Sequence, residues 1–384
     1  MLRPTASLKW GSLLSALACF MSSGAWASGT IGNGERWQLN MPVGVTSVSS
    51  EIYDLHMTIF WICVVIGIVV FGIMFYSMIA HRKSPDREPS KFHEHLGLEI
   101  TWTLAAILIL VAMAFPATST LIKIYDTSES EVDIKITGWQ WKWHYEYMGE
   151  EVGFFSNLAT PDAAIKNKAE KGESYLLEVD NPLVIPAGKK VRFLVTAEDV
   201  IHSWWVPDFA VKRDAIPGFI REAWTKVDEP GIYRGQCAEL CGALHGFMPI
   251  VVEVKEPAEY DAWLAEKKAI AAKERELANK TFTLDELMER GEQVYATACA
   301  GCHGVNGEGG VGTKLKGSPI ALGPVEAHLD MVINGSAANP MMSAFGSQLS
   351  EVDSAAVITY ERNAWGNNTG DTVQPIDVLN YKNK

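Results

Sequence analysis

Cysteine and positive charge are both scarce in this sequence, and each shortage excludes a class of protein. The six cysteines in 384 residues follow no disulfide-scaffold spacing, so a small disulfide-held module is excluded. Lysine and arginine number 33 against 46 aspartates and glutamates, which gives a formal net charge of -13. Such a surface repels polyanions and attracts cationic proteins, so we expect no nucleic-acid partner.

The N-terminus has the organisation of a secretory signal. Two basic residues precede an apolar stretch at 13–21, and Ala25-Trp26-Ala27 is a small-x-small cleavage site. We therefore expect a cleaved signal peptide at 1–27 that removes Cys19. The alternative, a lipid anchor on Cys19, is disfavoured because Ala16 stands where that motif has leucine.

Two long apolar runs follow the signal. No charged residue occurs from 57 to 80 or from 100 to 122, and about 20 apolar residues span a bilayer as a helix. Their connection, HRKSPDREPSKFHEH, is rich in Lys and Arg and is therefore expected in the cytoplasm. This predicts an anchor over 28–125 with transmembrane helices at about 57–80 and 99–123, and export of everything after them. Two buried core helices of this length are the disfavoured alternative.

The exported part changes composition three times. Residues 126–256 contain short runs of β-branched and aromatic residues between Gly and Pro turns, which predicts an all-β sandwich or barrel. Residues 257–281 are rich in Ala, Lys and Glu, which predicts a helical linker. Helical stretches alternate with Gly-rich loops over 282–370, and we expect a polar tail at 371–384.

The segment GQCAELCGALHGFMP contains two cysteines, a histidine and a methionine within twelve positions. Outside the cytoplasm, Cys237 and Cys241 must form a disulfide or be protected by metal. Thiolate and thioether ligands select copper, whereas zinc sites are normally completed without methionine. With His245 and Met248 in the loop and His202 upstream, two thiolates imply two coppers and an electron relay.

A second motif, CAGCH, places Cys299, Cys302 and His303 at the spacing of covalent haem attachment. The two thiols would form thioether bonds to the haem, and the imidazole would bind the iron. A chance match or a zinc half-site would lack the surrounding pattern described below.

Four segments after the two apolar runs resemble subunit II of the haem-copper cytochrome c oxidases, from Glu51 to about Val254: GWQWKWHYEY, VIHSWWVPDF, DAIPG and GQCAELCGALHGFMPIVVEV. The resemblance implies a cupredoxin-like Greek-key β-sandwich. It also implies a dinuclear copper centre with these contributors: bridging Cys237 and Cys241, terminal His202 and His245, the weak thioether of Met248 and the backbone carbonyl of Glu239.

The aromatic residues of GWQWKWHYEY occupy alternate positions, which predicts that they share one face of a single strand. They are Trp139, Trp141, Trp143, Tyr145 and Tyr147. Most should form an aromatic core. The resemblance singles out Trp141 as the surface aromatic through which an external cytochrome c passes electrons to copper.

Two acidic residues have a role by resemblance and an ordinary alternative. The Glu239 carboxylate would bind magnesium at the interface with the catalytic subunit, or would be a solvated loop acid. Glu99 would form the mouth of a proton-uptake channel, or would mark the start of the second helix at the membrane surface.

Residues 282–370 resemble an all-α class I cytochrome c, on the segments GEQVYATACAGCHGVNGEGG, NPMMSAFG and ITYERNAWGN. The resemblance implies a methionine opposite His303. It is Met342 in preference to Met341, although Ser343 stands where the family has proline.

Taken together, these features predict a multidomain membrane protein that delivers electrons: subunit II of a bacterial cytochrome c oxidase with a fused cytochrome c. Nine histidines, three already assigned, cannot build an oxygen-reducing metal cluster, so oxygen chemistry and proton translocation belong to another subunit. Expected partners are subunits I and III, the lipid bilayer, and cytochrome c or quinol:cytochrome c reductase as donor. We expect the bacterial inner (plasma) membrane, with the N-terminus and C-terminal domains periplasmic.

A membrane-tethered electron carrier serving another terminal reductase is the alternative function. The intact cysteine pair excludes a quinol-oxidase subunit II.

Overall fold

The protein has a membrane anchor, a β-sandwich, a connecting helix and a small helical domain. The computed structural model describes these residues: 38–82, 93–336, 339, 342–346 and 348–382. The predicted signal at 1–27, most of the loop between the first two helices, and Met341 lie outside them.

Helices α1 (Ser47–Ala80) and α2 (Leu96–Tyr125) form the anchor. Both are long and apolar enough to cross a membrane, as predicted. α1 begins well before its apolar run because a capping box, Thr46 with Ser49, satisfies its first backbone donors. At 34 residues it is about 50 Å long, more than a bilayer core requires, so its first turns extend toward the β-sandwich.

Two contacts fix α1 on its neighbours. The Thr46 hydroxyl donates to the Phe209 carbonyl at 3.3 Å, and Val45 N donates to the Asp208 carbonyl at 2.9 Å. The helices of the anchor are joined by the Lys123–Glu51 ion pair at 2.6 Å. The exported domain is thus seated directly on the membrane helices.

Residues 126–256, which we call the copper domain after the site predicted in it, form a sandwich of two five-stranded sheets. The first has the order β3-β2-β1-β5-β8 and the second β4-β10-β9-β6-β7. The strands are β1 (Val132–Trp139), β2 (Lys142–Tyr147), β3 (Val152–Ser156), β4 (Leu183–Pro186), β5 (Val191–Ala197), β6 (His202–Val206), β7 (Val211–Ala215), β8 (Arg221–Thr225), β9 (Gly231–Cys237) and β10 (Pro249–Lys255). A short helix α3 (Asp162–Ile165) lies between β3 and β4.

Alternating side chains create the core between the sheets. In β5 every second residue is buried, including Phe193, which packs on Trp204 of β6 with ring centroids 4.9 Å apart. β1 pairs in parallel with β5, and β10 in parallel with β4, so strands distant in sequence are neighbours. The predicted β-sandwich fold class is confirmed.

Helix α4 (Pro257–Ala278) occupies the predicted linker and packs along the copper domain. Tyr260 is buried in the sandwich core, and the Trp263 ring lies 5.2 Å from that of Tyr147. At its far end, Glu274 pairs with Arg290 of the next domain at 3.2 Å. The linker is therefore an ordered helix that contacts both domains.

Residues 282–382, which we call the haem domain after the haem predicted in it, are helical. Its elements are α5 (Leu284–Val294), a π-helical turn (Tyr295–Cys299), α6 (Ala300–His303), α7 (Pro319–Leu322), α8 (Val325–Asn334), α9 (Glu351–Asn363) and α10 (Pro375–Lys382). α5 packs closely on α9, where a Cβ on Gly291 would lie 2.2 Å from the Ala356 carbonyl oxygen. The predicted all-α class is confirmed.

The predicted polar tail at 371–384 differs from the structure. Val373 and Val378 are buried in the haem-domain core, and α10 covers α9. The buried Arg362 side chain donates to the Asp371 carboxylate and thereby ties the segment down. Residues 371–382 are therefore an integral part of the domain, held by two buried valines and one ion pair.

Candidate metal centres

Three sulfur atoms and two imidazole nitrogens meet at the end of the β-sandwich. The sulfur atoms of Cys237 and Cys241 are 3.9 Å apart, and the Cys241 sulfur lies 3.5 Å from the Met248 sulfur. His202 Nδ1 lies 4.0 Å from the Cys237 sulfur, and His245 Nδ1 lies 3.4 Å from the Cys241 sulfur. His202, Cys237 and Cys241 form a group that could hold a metal ion. The predicted ligands are therefore neighbours in space.

Strand ends place these side chains. Cys237 ends β9 and His202 begins β6, which is the antiparallel neighbour of β9. The loop after Cys237 then returns Cys241, His245 and Met248 to the same point before β10 begins. Gly138 of β1 makes room, since a Cβ there would lie 2.8 Å from the His202 ring.

Burial separates the ligands from water. His202 is 0% exposed and Met248 is 1% exposed, whereas His245 is half-buried and Glu239 is exposed. The Cys237 thiol donates to the Glu239 carbonyl oxygen at 3.4 Å, so that carbonyl faces the site while the carboxylate faces outward. The Glu239 carbonyl is thus placed for the predicted copper site, and its carboxylate is free to serve the predicted magnesium site.

The two thiols ionise very differently without a metal. Burial raises the pKa of Cys237, but hydrogen bonding to His202 and to backbone groups outweighs it and lowers this pKa to about 7. Burial and the neighbouring Cys237 charge raise the pKa of Cys241 to about 12. Two adjacent thiolates therefore need cations between them, and the donor set fits soft metal ions.

Asp199 fixes the orientation of His202. Its carboxylate accepts the His202 Nε2–H at 2.9 Å, as well as the backbone N–H groups of Gln140 and Val200 at 2.7 and 2.6 Å. This leaves His202 Nδ1 as the atom that faces the sulfurs. Sequence reasoning missed Asp199, although a carboxylate three residues before a ligating histidine was a usable signal.

The aromatic segment differs from the predicted single strand. It is a β-hairpin, in which β1 ends at Trp139, Gln140 and Trp141 form the turn, and β2 begins at Lys142. Trp143, Tyr145 and Tyr147 do share a buried face of β2. They are the core that the alternation predicted.

Trp141 lies at the tip of this hairpin, half-buried over the cysteine loop. Its indole Nε1 donates to the Cys241 carbonyl oxygen at 3.1 Å, and the Gln140 amide donates to the same oxygen at 2.8 Å. Gln140 is a second residue that the sequence did not reveal. The tip is thus bonded to the loop that carries the metal ligands.

A cavity of about 300 Å³ lies in the haem domain. Cys299, Cys302, His303 and Met342 all line it, so the residues predicted to bind haem share one space. The His303 Nδ1–H donates to the Thr313 carbonyl at 2.6 Å, which leaves Nε2 available as a ligand. Two thiols, an imidazole and a thioether around one apolar cavity fit a covalently bound haem.

The cavity wall also contains a buried polar pair. His328 Nε2 lies 2.8 Å from the Glu361 carboxylate, and both side chains are at most 5% exposed. Sequence reasoning did not single them out, because neither lies in a motif.

Glu99 lies in the first turn of α2, where its carboxylate accepts the His95 backbone N–H at 3.4 Å. An acid in this position favours the start of a helix by interaction with the helix dipole.

Known proteins match each part of the chain. Residues 132–255 match the periplasmic domain of cytochrome C oxidase subunit II, and 34–119 match its transmembrane domain. Residues 286–360 match the family of cytochrome C oxidase, cbb3-type, subunit III.

Among curated proteins, a probable cytochrome c oxidase subunit 2 of Rickettsia conorii is 37% identical over 68% of this chain and 82% of its own length. A relative from Rickettsia bellii is 38% identical over 62% and 86%. Among solved structures, the periplasmic domain of subunit II of cytochrome oxidase of Bradyrhizobium japonicum is 40% identical, covering 37% of this chain and 97% of that one, with a TM-score of 0.34. The chain belongs to the cytochrome c oxidase subunit II family and carries a fused cytochrome c domain.

Proposed function

We propose that the chain accepts electrons at a covalently bound haem c and passes them through a dinuclear copper centre to the oxygen-reducing site of subunit I, with proton translocation. The observation that carries this proposal is the cluster of predicted copper ligands at the end of the β-sandwich: Cys237, Cys241, His202, His245 and Met248. A second set of residues, suited to haem, lines one cavity in the same chain. When bound, the copper pair and the haem supply one-electron oxidation and reduction.

The residues of the chain hold these groups in fixed geometry. Cys237 and Cys241 would hold the two coppers through their sulfurs, and Asp199 would keep His202 Nδ1 directed toward the metal site. Met248 is buried and excludes water on one side. Because the ligands are attached to two sheet strands and a bonded loop, they change position little with oxidation state.

In the haem domain, Cys299 and Cys302 would attach the haem through thioether bonds, and His303 and Met342 would supply the ligands of its iron. A methionine opposite histidine raises the reduction potential of a haem. This suits a centre that takes electrons from a cytochrome c or from a quinol:cytochrome c reductase.

Three residues act at boundaries. Glu239 would hold a magnesium ion with its outward carboxylate at the interface with subunit I, Glu99 would open a proton channel there, and Trp141 would receive electrons for the copper centre. Subunits I and III are the partners within the bilayer of the bacterial inner membrane, with the N-terminus and both exported domains periplasmic.

Purification of the chain from its native membrane tests this function. We expect a large multi-helix haem-copper subunit to co-purify, and we expect the complex to consume oxygen with reduced cytochrome c. Recovery of the chain with copper and haem, but with a different reductase, would favour a free-standing electron carrier instead.

A further inference from the structure

Lys142 joins the copper domain to the haem domain. It is the first residue of β2, directly after the hairpin tip. Its ammonium donates to the Gln348 side-chain oxygen of the haem domain. It also lies 4.8 Å from the ring centre of Phe155 in its own domain and 5.8 Å from that of Phe345 in the haem domain. One cation therefore touches aromatic rings of both domains.

The environment of this lysine is unusual for a surface residue. Burial lowers the pKa of Lys142 to about 8, against the attraction of Asp199. Removing an ammonium from water is unfavourable unless hydrogen bonds and ring contacts offset it. Lys135, on the adjacent strand, is by contrast 35% exposed and forms an ordinary pair with Glu146 at 2.8 Å. The Lys142 contact is therefore specific to the meeting of the two domains.

On the haem side, the contacted residues follow Met342 in one loop. Phe345 also lines the haem cavity, so its ring connects that cavity with Lys142. The loop is tied to α8, because Phe345 N donates to the Val332 carbonyl at 2.8 Å and Gly346 N donates to that of Ile333 at 3.0 Å. A displacement of this loop would therefore also displace residues in the wall of the cavity.

On the copper side, the two residues before Lys142 are bonded to the ligand loop. Gln140 and Trp141 both donate to the Cys241 carbonyl oxygen, and Gln140 N donates to Asp199. The three residues of the tip, 140–142, thus contact Cys241, Asp199 and the haem domain.

We propose that Lys142 is a positioning residue that docks the haem domain on the copper domain and holds Phe345 against the tip beside Cys241. The inference rests on the proposed function, since it assigns the tip to electron transfer within one chain. Electron transfer slows steeply with distance, so docking keeps the haem edge and the copper loop close. The docked domain also lies beside the tip, which suits delivery of electrons to the tip from the haem domain of the same chain.

Three full-length variants in the purified oxidase test this role. Lys142→Ala removes every contact of the ammonium, Lys142→Arg retains a cation and a donor, and Lys135→Ala is the matched control on the same sheet. Hydroxyl-radical footprinting read by mass spectrometry measures the exposure of Phe345 and needs neither copper nor haem. Flash photoreduction of the haem measures its rate of electron transfer to copper.

Loss of one hydrogen bond to a charged group weakens docking about tenfold, and we expect the haem-to-copper rate in Lys142→Ala to fall by up to that factor, according to how strongly the wild-type domains are docked. Phe345 oxidation should rise in the same variant. Lys142→Arg should restore both, and Lys135→Ala should match the wild type. The inference is overturned if Lys142→Ala leaves either readout unchanged. Absence of copper or haem from the wild type would refute the proposed function separately, while the footprint would still report on docking.

Discussion

Replacing Asp199 by alanine tests whether the carboxylate that accepts the His202 Nε2–H strengthens metal binding at this site. The expected loss of metal affinity can be obtained in two ways. The substitution leaves the Nε2–H of a fully buried imidazole without its 2.9 Å acceptor, which costs about 1–3 kcal/mol. Loss of such outer partners typically lowers metal affinity about 10–100-fold. The two ranges overlap near 2 kcal/mol, or roughly 30-fold.

The penalty falls on the metal-bound form. Metal on Nδ1 would hold Nε2–H toward the missing carboxylate, so the bound form would lose this hydrogen bond in full. Asp199→Asn should lie between the wild type and alanine, because its amide oxygen still accepts the N–H but carries no charge.

The assay is a titration of the purified oxidase with a copper chelator, followed by measurement of copper relative to haem. Asp214→Ala is the matched control, since Asp214 accepts the hydroxyl of Ser203, the neighbour of His202, at 2.9 Å and contacts no predicted ligand. Retention of copper by Asp199→Ala at the wild-type chelator concentration would refute the reasoning, as would equal loss in Asp214→Ala.

Two further predictions concern the haem domain. Removing residues 371–384 should destabilise it by about 3 kcal/mol or more, because two fully buried valines, Val373 and Val378, are lost with the segment. Unfolding in guanidinium, followed at the haem absorbance, measures this. An unchanged midpoint would show that the segment does not stabilise the domain. Acidic side chains outnumber basic ones over 282–370, so oxygen uptake with subsaturating basic cytochrome c should fall as salt rises. A flat or rising salt profile would instead indicate an apolar contact or a donor held permanently beside the oxidase.

The cluster of proposed copper ligands within the cysteine loop could be predicted because their spacing is local. Cys237, Cys241, His245 and Met248 lie in one short segment, so any fold that closes the loop brings them together. His202 lies far upstream and was placed by family resemblance alone. Only the sheet order, with β6 beside β9, explains physically why it joins them.

The hairpin could not be predicted from the alternation of aromatics. A period of two continues unbroken from Trp139 to Tyr147, while Gln140 and Trp141 are not typical turn residues. The turn is held by long-range contacts to Cys241 and Asp199, which no local pattern encodes.

The docking of the haem domain is hidden from the sequence for the same reason. A helix over 257–281 can be predicted from composition, but its packing on the sandwich depends on Tyr260 and Trp263 meeting aromatic residues of distant strands. Lys142 reads as an ordinary strand lysine until Gln348 and Phe345 are placed beside it.

The measurement that tests the central claim most directly is metal analysis with electron paramagnetic resonance on wild type and Cys237→Ser. In the wild type this chain should contribute two coppers per haem c, in addition to any copper of the haem-copper subunit, and should show a mixed-valence signal from one unpaired electron shared by both. Cys237→Ser should lose that signal and retain haem c, because Cys299, Cys302 and His303 line a separate cavity. Zinc in the site, a single copper with a mononuclear signal, or an unchanged signal in Cys237→Ser would contradict the account.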